Sequence, residues 1–279
     1  MTTNRIEKAT GLRLFWRTAW ARAYPRLIGS VRERSWMLFE TLLPLMGTIS
    51  YVFVYRAINA PEEFIGFVVV GGAMTAFWLN VLWSMGAQLY WDKDQGNLEL
   101  YVVSPGPMMA ILAGMAIGGW VFAGTRALTI LLITSLLFGV TYQTGSLVML
   151  ILVFLVTILA LYGMGMMFSS LFLASGREVW HISNLLQEPI YLASGFYFPV
   201  REMGQVIATL ASVIPLTLGL DAMRQLLFFA NEPFGFLTVG VELAILAILA
   251  VIFIAGASFL LAKLEEIGRR DGRLIERRR

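Results

Sequence analysis

Residues 64–89 read FIGFVVVGGAMTAFWLNVLWSMGAQL and contain no charged side chain. A helix needs about 20 predominantly apolar residues to cross the hydrocarbon core of a bilayer. The stretch is longer than that minimum, so it predicts a membrane-spanning helix.

The whole chain has the same character. Hydrophobic residues make up 58% of the 279, charged residues only 14%, and the mean hydropathy is +0.74. A soluble domain carries roughly 25% charged residues because its surface contacts water. The apolar surplus here is too large for one buried core, so the composition indicates a protein surrounded by lipid.

Further apolar runs lie on both sides of the first one. They occupy residues 37–58, 110–140, 147–173, 185–198 and 236–262. The run at 185–198 is short, and the segment after it is broken by Pro199 and Pro215. The pattern predicts an all-α integral membrane protein with about six transmembrane helices in one domain, residues 37–262. A cytoplasmic N-terminal part (1–36) precedes this domain, and a basic cytoplasmic tail (263–279) follows it.

Lysine and arginine residues are distributed unequally between the loops. With the N-terminus inside, the outer segments hold only Arg56, Arg201 and Arg224, and the other basic loop residues fall on the inner side. Cytoplasmic loops carry the excess of Lys and Arg. Both termini are therefore predicted to be cytoplasmic.

Residues 9–24 have the pattern of an amphipathic helix. At 100° per residue, one face collects Leu12, Phe15, Trp16, Ala19, Trp20 and Ala23, and the other collects Arg17, Thr18, Ala21 and Arg22. A basic amphipathic helix with Trp at its edge lies in the plane of the lipid headgroups. The alternative is a soluble helix that packs against a partner. Pro25 is predicted to end or kink the helix.

Several kinds of chemistry are excluded by residue type. A phosphate-binding loop ends in Lys followed by Ser or Thr, but the three lysines precede Ala9, Asp94 and Leu264. There is no Cys and one His, His181, so neither a thiolate nucleophile nor a zinc site with two imidazoles is available. We therefore expect no catalytic site, no metal and no cofactor in this chain.

Charged residues inside spans are rare and usually functional. The four candidates are Glu40, Arg126, Glu188 and Glu242. Glu40 and Glu242 lie near span ends, where they reach the headgroups. Arg126 and Glu188 are predicted to form an intramembrane polar pair, which serves either helix packing or a substrate.

Two inter-span segments carry the remaining signals. Residues 90–109 read YWDKDQGNLELYVVSPGPMM, which predicts a short surface helix that is closed by prolines and suited to contact a partner. Residues 194–224 read SGFYFPVREMGQVIATLASVIPLTLGLDAMR. Such an apolar outer segment predicts short helices that dip back into the outer leaflet, because backbone at that depth must satisfy its own hydrogen bonds.

Together these segments resemble the permeases of type-2 ABC exporters, a family of drug, lipid-linked polysaccharide and nodulation-factor exporters. The first resembles the family's ATPase-coupling region, commonly Gly-Thr-Leu-Glu followed by Pro. The corresponding residues here are Asp92, Gly96, Leu98, Glu99 and Pro105, with Asn97 in place of Thr.

The second segment resembles the family's Ser-Gly-x-x-x-Pro sequence and the Pro and Asp-x-x-Arg pattern downstream. The matching residues are Ser194, Gly195, Pro199, Pro215, Asp221 and Arg224, with Met203-Gly204 where Leu-Pro is common. The N-terminal amphipathic helix is similar to the family's interface helix, and its matching residues are Phe15, Trp16, Arg17 and Trp20.

The resemblance implies a permease subunit that exports an amphipathic lipid, drug or lipid-linked glycan across the plasma membrane of a prokaryote. It also implies a separate cytoplasmic ATPase subunit that binds ATP and magnesium, and a second permease copy, identical or related. Lipids are the other expected partner, and nucleic acid is not one. Two alternatives remain open: an ion-coupled transporter that uses Arg126 and Glu188, and a membrane-embedded lipid-modifying enzyme that uses Asp221 and Arg224.

Overall fold

The computed structural model describes residues 11–271 except 33, 144, 176–177 and 230–234. Part of the predicted basic tail, residues 272–279, lies outside the described residues, as do residues 9 and 10 of the predicted amphipathic helix. The described part is helical and contains no strand. This confirms the predicted all-α class.

The described residues form eleven α-helices, which are numbered in chain order. They are α1 (Gly11–Arg32), α2 (Arg34–Ala57), α3 (Glu62–Leu79), α4 (Gln88–Asp94), α5 (Leu98–Val103), α6 (Met108–Phe138), α7 (Leu147–Ser175), α8 (Val179–Ala193), α9 (Gln205–Ala211), α10 (Pro215–Phe228) and α11 (Val239–Asp271). A π-helix, Asn80–Gly86, joins α3 to α4, and a 3₁₀-helix, Val200–Met203, precedes α9.

Among the described residues, five candidate spans are long and apolar enough to cross a membrane. They are Met37–Ala57, Glu62–Asp94, Met108–Phe138, Leu147–Leu173 and Val239–Glu266. A sixth is counted only if α9 and α10, which are bent by 110° relative to each other, form one broken span. We call the end of the bundle with loops at 95–97 and 104–107 the Gly96 end, and the end with loops at 58–61 and 139–143 the Gly139 end.

The predicted span at 185–198 corresponds to α8, which is too short to cross as a helix. Its 15 residues rise about 22 Å, against a hydrocarbon core of about 30 Å. The chain after α8 continues without regular structure and reaches α2, where the Tyr55 hydroxyl donates to the Tyr197 carbonyl at 2.8 Å. Ser194, Gly195 and Phe196 are buried against protein, which is the condition for irregular backbone at membrane depth.

α3 is the central helix of the bundle, and it packs against α2, α6 and α10. Two glycines allow this close packing. A Cβ atom at Gly71 would lie 1.6 Å from the Phe196 carbonyl oxygen, and one at Gly72 would lie 2.0 Å from Thr48 Oγ1. Small residues let helices approach closely where no water drives association.

α1 packs on the first half of α6 through small residues on both helices. Ala19 and Ala23 are buried, and a Cβ atom at Gly114 would lie 2.2 Å from the Ala19 carbonyl oxygen. Pro25 is predicted to end or kink this helix. The helix does not end there, because α1 continues through Pro25 to Arg32. Proline removes one helical hydrogen bond, and the residue whose carbonyl is left free, Ala21, is exposed.

Candidate functional site

Asp92, at the Gly96 end, joins three helices. It is buried in α4, and its Oδ2 accepts hydrogen bonds from Arg22 Nη2 at 2.8 Å and from the Tyr101 hydroxyl at 3.1 Å. Its Oδ1 accepts from Gln88 Nε2 at 3.0 Å. Burial raises the pKa of Tyr101 to about 12, so near neutral pH the phenol keeps its proton and donates it to Asp92. The carboxylate therefore fixes α5 to α1 through α4.

The turn before α5 depends on glycine. Gly96 has a φ of +81°, and the Asn97 amide donates to the Asp92 carbonyl at 2.7 Å while the Gly96 amide donates to the Lys93 carbonyl at 3.1 Å. These two bonds form a Schellman motif, which requires a left-handed residue after the helix. Gly96 is therefore needed to orient α5.

α5 has an anchored side and an exposed side. Leu98 is buried in the core, whereas Glu99 is exposed. Leu100 and Val103 are 69% and 83% exposed. Pro105, also exposed, follows the end of the helix. We call Glu99, Leu100 and Val103 the α5 surface; it combines one acid with two apolar side chains that receive no cover from this chain.

We expect Asp92→Asn to lower the free energy of unfolding by about 1.5–3 kcal/mol, because the bond from Arg22 loses its charged acceptor and the amide NH₂ cannot accept a hydrogen bond as the second carboxylate oxygen does. Chemical unfolding of the purified chain in detergent measures this change. Asp94→Asn is the matched control, since Asp94 is exposed and surface substitutions usually stay within about 0.5 kcal/mol. Equal stabilities of the two variants would contradict the assigned role of Asp92.

The α1 residues predicted to contact lipid divide into two groups. Trp16 and Trp20 are exposed, as is Arg17, and Phe15 is half-buried. The small residues of the predicted apolar face point toward α6 instead, as described above. The large aromatic side chains thus remain available to the headgroup region.

Arg224 organises a second cluster, close to the Gly139 end. It is 1% exposed. Its Nη1 donates to the Gly195 carbonyl at 2.7 Å, and its Nη2 donates to the carbonyls of Phe196 at 2.6 Å and Phe67 at 2.9 Å. The guanidinium also lies 4.0 Å from the centre of the Phe67 ring. One side chain of α10 therefore joins the irregular segment after α8 to the central helix.

The other residues predicted for this region shape the chain around Arg224. Ser194 is buried, and Gly195 has a φ of +64°. Pro199 immediately precedes the 3₁₀-helix, and Pro215 is the first residue of α10. Asp221 accepts hydrogen bonds from the Phe236 amide at 2.7 Å and from Gln225 Nε2 at 3.1 Å. Asp221 therefore joins α10 to the segment before α11.

The predicted Arg126–Glu188 pair is corrected by the structure. Arg126 Nη1 binds Glu40 Oε2 of α2, and Nη2 donates to the Glu40 carbonyl at 3.1 Å. Glu188 is exposed on α8, where Gln187 Nε2 donates to it at 3.2 Å. Glu40 was expected to reach headgroups, but α2 packs on α6 and this contact brings its carboxylate to the buried guanidinium.

The chemistry available at these clusters is that of fixed structural contacts. Asp221 and Arg224 are buried and engaged with backbone groups, so neither is placed to act on a lipid headgroup. Within the described ranges, no group of three or more His, Cys, Asp or Glu side chains is arranged to hold a metal ion.

Comparison with known proteins gives one family. The sequence model of the family described as ABC-2 type transporter matches residues 19–228, which run from α1 through α10 and contain the Asp92, Arg126 and Arg224 clusters. No curated protein matches the chain.

Proposed function

This chain belongs to the ABC-2 type transporter family, and from that we propose that it is the permease subunit of an ABC exporter. A separate cytoplasmic subunit binds ATP with magnesium and hydrolyses the ATP, since this chain contains no Lys-Ser or Lys-Thr pair for a phosphate-binding loop. The transported compound is an amphipathic lipid, drug or lipid-linked glycan. A second permease copy, identical or related, completes the transport unit.

The α5 surface is the observation that supports this proposal most directly. Exposed apolar groups beside a charge are typical of an interface with a partner. The excess of Lys and Arg in the inner loops supports an orientation in which the Gly96 end faces the cytoplasm, where an ATPase subunit docks. A partner bound to α5 moves α1 and α4 together with it, because Asp92 holds all three helices.

A connection toward the membrane interior follows from α1. Arg26 Nη2 donates to the Ser84 carbonyl in the π-helix at 2.6 Å, and Ser169 of α7 donates to the Met85 carbonyl at 3.1 Å. The π-helix leaves backbone carbonyls to be satisfied by side chains, and π-helical turns are frequent at functional sites. Movement of α5 therefore reaches α7 through α1 and the π-helix.

The two alternative functions have less support. An ion-coupled transporter would use Arg126 and Glu188, but these residues do not form the predicted pair. A lipid-modifying enzyme would use Asp221 and Arg224, which are occupied by backbone groups.

Glu99→Arg tests the proposal, because Glu99 is exposed and its replacement leaves the fold of this chain intact. We expect docking of the ATPase to weaken by at least about 2 kcal/mol, close to 30-fold, since a charge at the interface is reversed. Co-purification of the ATPase with the full chain from its native membrane, and ATP-driven export in reconstituted vesicles, measure the two effects.

Glu63→Arg is the matched control, because Glu63 is also exposed but lies at the Gly139 end. It should bind the ATPase as wild type does. If Glu99→Arg binds the ATPase and exports at full rate, Glu99 is not in the coupling surface. If no ATPase co-purifies with the wild-type chain, the proposed function itself fails.

A further inference from the structure

An apolar groove lies between α6 and α7, with α3 and α10 behind it. Its volume is about 650 Å³. Val70, Met74 and Phe77 of α3 line it together with Gly124 and Leu128 of α6 and Ile151 of α7. Leu128 of α6 and Ile151 of α7 are the exposed members of this set. We call this feature the α6–α7 groove.

The lining is suited to a hydrocarbon occupant. The lining includes two hydroxyl groups, and both are already hydrogen-bonded. Thr125 Oγ1 donates to the Phe122 carbonyl at 2.8 Å, and the Tyr142 hydroxyl lies 2.5 Å from Ser135 Oγ. Apart from these hydroxyls, the polar side-chain group of the lining is the indole N–H of Trp120. A sugar or a charged headgroup in this groove would lose most of its water contacts without replacing them, which costs several kcal/mol.

The length and position of the groove match one leaflet of a bilayer. Its lining on α6 extends from Trp120 to Leu131, which corresponds to about 16 Å at 1.5 Å per residue. Half of the hydrocarbon core measures about 15 Å. The groove includes Tyr142 and Leu150, near the two facing ends of α6 and α7, so it belongs to the leaflet at the Gly139 end.

We propose that the α6–α7 groove binds one acyl chain of a phospholipid from this leaflet, as a resident lipid rather than a transported one. An empty groove would deprive its lining of dispersion contacts on one side. The phospholipid chain is the apolar molecule that surrounds the opening. It fills the space between α6 and α7 and keeps these two spans apart. This site goes beyond the proposed transport function and does not depend on it.

The test uses the full chain in phosphatidylcholine vesicles, and the ATPase, where it co-purifies, is needed only for the arm with magnesium ATP. A small fraction of the phosphatidylcholine carries a photoactivatable diazirine in the middle of one acyl chain. After illumination, peptide mass spectrometry locates the adducts. We expect wild-type adducts concentrated on the lining residues, including Leu128 and Ile151.

Gly124→Leu fills the groove. A Cβ atom at Gly124 meets only Phe77 Cζ, at 3.9 Å, so a larger side chain enters the groove without a backbone collision. Displacing two buried methylene groups is enough to weaken binding about tenfold, and we expect labelling of the lining to fall by that factor. Gly240→Leu is the matched control, because Gly240 lies outside the groove and a Cβ atom there would have no neighbouring atom within 4 Å. In this variant, labelling of the groove lining should stay at the wild-type level.

A second variant, Leu128→Trp, narrows the opening of the groove. It should also reduce labelling of the lining, and it replaces Gly124→Leu if that variant does not insert into the membrane. The proposal is overturned if labelling is spread evenly over the exposed side chains of α6 and does not respond to either variant, which would show bulk lipid only. Absence of label from the wild-type lining also overturns it, because a second copy then covers the groove. Loss of label when magnesium ATP is added would assign the groove to the transport path and overturn a resident lipid.

Discussion

Replacing Arg224 with methionine is expected to lower the free energy of unfolding by about 3–6 kcal/mol. The variant leaves the carbonyls of Gly195 and Phe196 without their donor, and each hydrogen bond from a charged group is worth about 1.5–3 kcal/mol. The irregular segment after α8 then loses its attachment to the central helix. Unfolding of the purified chain by denaturant in mixed micelles measures the loss.

Arg201→Met is the control for Arg224, because Arg201 is exposed and forms an ion pair with its neighbour Glu202 at 3.2 Å. Exposed ion pairs contribute about 0–1 kcal/mol. Arg224→Lys should fall between the two, since an ammonium group keeps the charge but lacks the planar shape that reaches several carbonyls. If Arg224→Met is no less stable than Arg201→Met, the cluster does not hold the segment.

Glu40→Ala is expected to cost about 3–5 kcal/mol, because it leaves the buried Arg126 guanidinium without its carboxylate. The double variant Glu40→Met/Arg126→Met should recover much of this loss, since apolar side chains of similar volume require no partner. Chemical unfolding of wild type, Glu40→Met, Arg126→Met and the double variant forms a double-mutant cycle and gives the coupling energy directly.

The comparison with Glu188→Ala decides between the pair expected from the sequence and the pair in the structure. Glu188 is exposed, so its removal should change stability by no more than about 0.5 kcal/mol. A loss at Glu188 as large as the loss at Glu40 would contradict the Arg126–Glu40 pair.

The long spans were predictable because hydropathy is a property of the local sequence. Candidate spans at Met37–Ala57 and Leu147–Leu173 agree closely with the apolar runs at 37–58 and 147–173. Residues 64–89 were also identified as a span, but their central position in the bundle was not. Hydropathy does not distinguish a helix surrounded by lipid from one surrounded by other helices, because both are apolar.

The partners of charged side chains could not be predicted in the same way. Glu40 and Arg126 are separated by 86 positions, and only the packing of α2 against α6 brings them together. Asp92 was identified from the segment around it, but its contact with Arg22 depends on the approach of α1. The sequence feature that points to this contact is Arg22 itself, because it lies on a helix whose small residues face the protein.

The length of α8 could not be predicted either, because the apolar run at 185–198 contains both the helix and the irregular segment after it. Composition alone does not show where helical hydrogen bonding stops. The contacts that replace it come from Arg224 of α10, which is 29 positions from Gly195.

The bonds from Arg224 to Phe67 also have a consequence for the order of biosynthesis. The two residues are 157 positions apart, and ribosomes add about 5–20 residues per second, so Phe67 is synthesised roughly 8–30 s before Arg224. For most of that interval Gly71 of α3 lacks the Phe196 carbonyl that lies against it in the finished protein. The central helix can therefore meet α2 and α6 early, whereas its contacts with α10 and the segment after α8 form last.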